Sequence, residues 1–183
     1  MACARGRAKA QSNRDDRVTL TPVALAIRAM TEMDALAVST WRYPGPYAIY
    51  DHEPDDWPQF LVPAYRYHAV LDGSELVAYG CFGEDGRVAG GSYPPDALDI
   101  GAGMRPDLVG QRRGKALLGM LLDFAAATYG ATAFRSTVAA FNHRALALCR
   151  SVGFIELARF ISAGPQPREF VILGGYRAGS HTT

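Results

Sequence analysis

The residues best placed to do chemistry fall in the run MRPDLVGQRRGKALLGMLLDF, Met104–Phe124. Arg112, Arg113 and Lys115 crowd around Gly114, where an apolar run begins that predicts a helix. The first turn of a helix leaves backbone N–H groups without partners and carries a partial positive charge. A glycine there lets the backbone approach an anion closely, and the three cations would suit a polyphosphate. The run is neither a Walker loop nor a dinucleotide fingerprint, so an ordinary strand-to-helix turn with solvated basic residues stays open beside a phosphate site.

A second run, NHRALALCRSVGF, spans Asn142–Phe154. Asn142 is a good N-cap, and Gly153 suits the position just past a helix end. Cys149 between them has two readings. A thiol of ordinary pKa, about 8.5, could donate a proton or, as thiolate, act as a nucleophile. Alternatively it packs as a small apolar side chain on the face it shares with Ala145 and Val152. A third concentration is the proline-rich stretch YPGPYAIYDHEPDDWPQFLVPA, residues 43–64. Tyr43, Tyr47, Tyr50 and Trp57 offer flat apolar surface, and Asp51, Glu53, Asp55 and Asp56 a negative patch that would draw a cationic amine. A solvated acidic turn with its aromatics tucked on the core fits the same residues.

Together the first two runs resemble the paired signatures of the GNAT family of N-acetyltransferases. QRRGKA is similar to that family's Gln/Arg-x-x-Gly-x-Gly/Ala motif, and 26 residues after Ala116 the second signature begins at Asn142. There the family has Asn, then Ala three on, Tyr seven on and Gly-Phe at eleven and twelve; this chain has Asn142, Ala145, Cys149, Gly153 and Phe154. The resemblance extends over about Leu25–Tyr176. It implies an acyl-CoA N-acyltransferase-like α/β fold: a mixed, mostly antiparallel central sheet with helices on both faces. It also implies acetyl-coenzyme A (acetyl-CoA) as cofactor, and transfer of its acetyl group to an amine.

Roles follow from the resemblance position by position. The backbone amides of Gln111, Arg112, Arg113, Gly114, Lys115 and Ala116 would hold the coenzyme A pyrophosphate. The strand end at Gly103, Met104 and Arg105 would pair with the pantetheine arm, and the Met104 backbone would polarise the acetyl carbonyl. Asn142 would bond to the same arm while capping its helix. A carboxylate on or near the central strand commonly activates the amine, and Asp99 is the candidate here, with pairing to a surface arginine as its alternative. Tyr43, Tyr47, Tyr50 and Asp51 would line the acceptor pocket. The family's tyrosine, which protonates the departing thiolate, is missing, and Cys149 stands in its place. Direct attack by a primary amine in a ternary complex remains feasible without that acid. The missing donor keeps open a second reading, a catalytically weak CoA-binding regulatory or sensing module.

The elements that must position these residues are legible in outline. Leu25–Met30 reads as a strand, and TEMDALAVSTWR as a helix with Thr31 as N-cap and Asp34 three residues on. Two β-rich runs around DGS read as a hairpin, ALDIGAGM as a strand, and GKALLGMLLDFAAATYG as a helix apolar on nearly all sides, hence covered on most of them. A strand at ATAFRSTVAAF, the Asn142 helix and two final strands complete the order β-α-loop-β-β-β-α-β-α-β-β.

The 183 residues suit one domain, expected at 25–176 between a basic leader (1–24) and a short tail (177–183). The leader holds five basic residues against two acidic ones, while the whole chain is nearly neutral at +1. Nucleic acid is therefore not an expected partner. Neither is a membrane, because no run approaches the ~18 apolar residues of a span. Three widely spaced cysteines and four histidines make neither a disulfide framework nor a zinc site, and the expected compartment is the cytoplasm. The expected acceptor is a small-molecule or peptide amine; the oligomeric state is left open, a homodimer included.

Overall fold

The computed structural model describes residues 25–176, so the expected leader and tail lie outside the described residues. Seven strands form one open sheet: β1 (Leu25–Ala29), β2 (His68–Asp72), β3 (Glu75–Phe82), β4 (Leu98–Met104), β5 (Ala133–Ala139), β6 (Ile155–Ile161) and β7 (Glu169–Tyr176). Their spatial order is β1-β2-β3-β4-β5-β7-β6. Three helices connect them: α1 (Glu32–Ser39), α2 (Gly114–Tyr129) and α3 (His143–Ser151). Every neighbouring pair of strands is antiparallel except β4 and β5. This is the mixed, mostly antiparallel α/β architecture that the resemblance implies.

Local chemistry explains the element ends. The Thr31 hydroxyl accepts from the Asp34 N–H at 3.3 Å, and the Asp34 carboxylate accepts from the Thr31 N–H at 2.9 Å. That reciprocal cap starts α1. Asn142 starts α3 with a one-way cap, its Oδ1 accepting from the Ala145 N–H at 3.1 Å. Along β3 the pleat sends alternate side chains to opposite faces. Ala78 and Phe82 join Leu117, Leu118, Leu121 and Leu122 of α2, while Tyr79 and Cys81 join Ala35 and Val38 of α1 with Phe60 and Tyr67. Helices therefore cover both faces of the sheet.

One expectation about α2 needs correction. The helix buries a single stripe, Leu117, Leu118, Leu121, Leu122 and Ala125, and leaves Ala116, Asp123, Ala127 and Thr128 exposed. Alanines raised its apolar count without requiring cover, since an exposed methyl costs little.

The long stretch after α1 is ordered by prolines and rings. It folds into three 3-10 turns, Gly45–Tyr50, Pro54–Leu61 and Pro63–Tyr65, each with proline in its first two positions, where a fixed φ helps. Phe60 is fully buried and stands edge-on to His52, Tyr67 and Tyr79, with centroids 4.7, 4.8 and 5.9 Å away. Such edge-to-face pairs add about 0.5–1.5 kcal/mol each beyond the area they bury.

The feature that matters most lies in mid-sheet. β4 and β5 are paired only at Leu98–Phe134 and Asp99–Arg135, and then they part.

Candidate active site

The parting of β4 from β5 opens a cleft of about 690 Å³ that runs to the N-terminus of α2. On its other side β4 stays paired with β3, through Tyr79–Gly103, Cys81–Gly101 and the Arg105 N–H on the Val77 carbonyl at 2.9 Å. An antiparallel strand alternates the side to which its backbone groups point. Because Gly101, Gly103 and Arg105 face β3, Ala102 and Met104 turn their N–H and C=O groups into the cleft. The Tyr43 hydroxyl donates to the Met104 carbonyl at 2.9 Å from that side.

At the mouth, the first N–H of α2 to find a backbone carbonyl is that of Leu117, on Arg113 at 3.1 Å. Among the described residues the N–H groups of Arg112, Arg113, Gly114, Lys115 and Ala116 donate to no protein acceptor. Arg112 holds the loop's turn with a left-handed φ of 62°, unusual for a residue with a side chain. Five free N–H groups at the positive end of a 16-residue helix, with Arg112 and Lys115 beside them, are what an anion such as a pyrophosphate requires. Arg113 is already paired with Asp72 of β2.

Of the residues singled out in sequence, Gly103, Met104, Arg112, Arg113, Gly114, Lys115, Asn142, Cys149, Tyr43, Tyr47 and Tyr50 line this cleft. Asn142 donates from its amide to the Tyr50 hydroxyl at 3.2 Å, which ties α3 to the aromatic loop. Burial raises the pKa of both Tyr43 and Tyr50, so their hydroxyls stay protonated. Cys149 is buried against Leu146 and Phe154; burial pushes its thiol up, against a lowering hydrogen bond with Ser136.

Five candidates stand elsewhere. Asp99 is 1% exposed and gripped by Arg135 at 2.6 and 2.9 Å and by Arg87 at 2.7 Å, so its carboxylate is fully engaged away from the cleft. As the base that activates an amine it is corrected. Asp51 is corrected as well: its carboxylate accepts from the Tyr43 N–H at 2.8 Å and does not line the cleft. Asp56 likewise accepts from the Glu53 N–H at 3.1 Å, within its own turn. Arg105 pairs with Asp107 at 2.8 Å and the Gln111 amide donates to the Asp107 carbonyl at 2.8 Å. Neither these two nor the Ala116 side lines the cleft, although the Ala116 N–H is among the free donors.

Sequence reasoning missed Tyr79, Arg144, Ser136 and Thr137, all of which line the cleft. Alternation along β3 would have put Tyr79 on one face with Cys81. Nothing local announces that the bare Gly103 lets that ring lie over β4.

The described residues contain no group of three or more His, Cys, Asp or Glu arranged to hold a metal ion, and no helix long and apolar enough to cross a membrane.

Several solved structures share this fold. A chimera of the Vibrio cholerae spermidine N-acetyltransferase SpeG and hSSAT superposes with a TM-score of 0.66 at 16% identity, over 83% of this chain and 95% of that one. The ribosomal-protein-S5-alanine acetyltransferase of Vibrio fischeri gives 0.59 at 11%, over 83% and 92%. The protein yncA of Salmonella typhimurium, described as an acetyltransferase and solved with its cofactor acetyl-CoA, gives 0.59 at 16%, over 87% and 97%. No curated protein matches the chain in sequence. A sequence model of the acetyltransferase (GNAT) family matches residues 30–154, which contain the parted strands, the α2 loop and α3 alike. The chain belongs to the GNAT acetyltransferase family.

Proposed function

We propose that residues 25–176 form one catalytic domain that transfers acetyl from acetyl-CoA to the primary amine of a small molecule or peptide, by direct attack in a ternary complex. The observation that carries this reading is the parting of β4 and β5 beside the free N–H groups of Arg112–Ala116. Those N–H groups, with Arg112 and Lys115, suit the pyrophosphate. The edges of Ala102 and Met104 suit the two amides of a pantetheine arm, and Asn142 stands at the same opening. Acetyl-CoA supplies an activated thioester. The Met104 N–H is the donor available to polarise its carbonyl, as the Tyr43 hydroxyl already occupies the carbonyl of the same residue.

The acceptor enters between Tyr43, Tyr47, Tyr50 and Tyr79, and no carboxylate side chain lines that end among the described residues. Aromatic faces can hold an ammonium group without one. Cys81 and Cys149 are free thiols, which suits a reducing compartment, and we place the reaction in the cytoplasm.

The experiment is acetyl-CoA binding by calorimetry together with thiol release against a panel of primary amines. Binding with turnover of at least one amine is expected. The buried, protonated Cys149 favours one other reading, a CoA-binding sensor, because the family's acid is absent there. Tight binding with no turnover would favour that sensor, and absence of binding would overturn both readings.

A further inference from the structure

Tyr79 sits in mid-β3, directly opposite Gly103 of β4, and lines the acceptor end of the cleft. A Cβ on Gly103 would fall 2.4 and 2.5 Å from the ring carbons of Tyr79 and 2.7 Å from its oxygen. The bare glycine is thus what lets the hydroxyl end of the ring lie over β4, one residue from Met104. Behind it, the Tyr79 oxygen meets His52 Nε2 at 3.3 Å. A buried hydroxyl needs an acceptor, and His52 Nε2 is within reach to serve as one in the tautomer that carries its proton on Nδ1. The other ring nitrogen, Nδ1, lies 3.4 Å from the Gln59 amide nitrogen, an orientation that would leave the ring proton on Nε2. A half-turn of that amide presents its oxygen to an Nδ1–H, since its two ends are nearly the same shape.

We infer that Tyr79 and His52 form a proton relay at the acceptor end of the cleft, Tyr79 touching the amine and His52 receiving the proton. The inference rests on the transferase reading above. As the amine nitrogen bonds to the acetyl carbon, the C–S bond of the thioester breaks with its electron pair on sulfur. The nitrogen's proton passes to the Tyr79 oxygen, the hydroxyl proton of Tyr79 passes to His52 Nε2, and the imidazolium later releases it to solvent. Atoms and charge balance, and Tyr79 is never ionised.

The surroundings fit each role. Burial drives the Tyr79 pKa well above its ordinary value, so it acts as a neutral shuttle and not as a phenolate. Burial also lowers His52, against the opposing pull of Asp56, Asp85 and Asp51; Arg42 lowers it further. The ring is therefore neutral near pH 7 and able to accept. The same three carboxylates stabilise the imidazolium once it forms. With Asp99 locked by two arginines, this pair supplies the base that the parted strands lack.

The test uses the intact chain, acetyl-CoA, and benzylamine, spermidine and alanine amide as probe amines. Wild-type kcat/KM should rise with pH through a limb below about pH 6.5, set by His52. Tyr79→Phe and His52→Gln should each lower kcat on the order of 10²-fold or more, and His52→Gln should erase that limb. Calorimetric affinity for acetyl-CoA should stay within a few-fold of wild type, which establishes that both variants are folded. Variants with near-normal kcat, or a limb that survives in His52→Gln, would overturn the relay alone. A wild type that acetylates none of the amines would instead overturn the transferase reading. Nitrogen-15 shifts of the His52 ring give a readout without turnover: the neutral ring should carry its proton on Nδ1, and a proton on Nε2 would overturn the relay whatever the rates.

Discussion

Asp99 and Arg135 are partners in the last rung before β4 and β5 separate, and their side chains close over that rung with hydrogen bonds of 2.6 and 2.9 Å. Both are almost wholly buried, and Arg87 adds a third contact of 2.7 Å to the same carboxylate. A pair placed there fixes where the strands stop being a sheet and start being a cleft.

Asp99→Asn removes one charge of that buried pair and leaves Arg135 with only the exposed Asp96, 3.5 Å away, as a carboxylate partner. Removing one partner of a buried ion pair typically costs about 3–5 kcal/mol. Denaturant unfolding of the variant should show a loss of that order. At temperatures where it stays folded, the pH profile of turnover should keep its wild-type shape; a profile that lost its acid limb would restore Asp99 as a base.

Gly114→Glu should abolish acetyl-CoA binding. A Cβ at this position already comes within 3.0 Å of the Leu148 Cδ2 atom, and a carboxylate would sit among the five free N–H groups and compete with the ligand's anion. Calorimetry decides this. Unchanged affinity would take the α2 loop out of the site.

Cys149→Ala should leave turnover within a few-fold, because the thiol packs with Leu146 and Phe154 and burial holds it protonated. The same reasoning predicts slow modification by thiol reagents at mildly alkaline pH for Cys149 and for Cys81, whose pKa burial pushes up to about 12. A large loss of kcat in a stably folded Cys149→Ala would make the sulfur a participant.

Asp34 predicts an acid weakness at the start of α1. Burial pushes its carboxyl up, but the Arg28 guanidinium and the Thr31 hydroxyl and N–H outweigh this and hold it below the ordinary range. A carboxyl depressed in the folded state stabilises fully above its unfolded pKa of about 3.9, and that stability is lost as pH falls through the folded value. Urea midpoints should therefore fall on acidification below about pH 4, and Asp34→Asn should flatten that fall. Thr31→Ala should cost about 1 kcal/mol at neutral pH through the lost cap.

The order of elements was legible because caps and composition are local: Thr31 with Asp34, Asn142 with Ala145, and the β-rich run ELVAYGCF each lie within a few residues. The free N–H groups at the start of α2 were legible for the same reason, since they belong to consecutive backbone positions. Pairings made by the tertiary fold were not. Nothing near Asp99 indicates that Arg135, 36 residues on, lies beside it in the sheet. The acidic residues of 51–56 look in sequence like a lure for a cation, yet Asp51 and Asp56 accept backbone N–H groups of their own loop. His52 reaches Tyr79 only because those turns carry it back over the sheet, which no spacing rule encodes.

The parted strands also act as a filter written in main chain. Whatever fills the space between β4 and β5 strips solvent from the N–H and C=O of Ala102 and the N–H of Met104, at a cost of roughly 1–3 kcal/mol for each group left unmatched. A visitor recovers that only by presenting amide donors and acceptors at the spacing of a strand. Bulk and greasiness do not suffice, and because the discriminating atoms belong to the backbone, drift in the surrounding side chains leaves the selection intact.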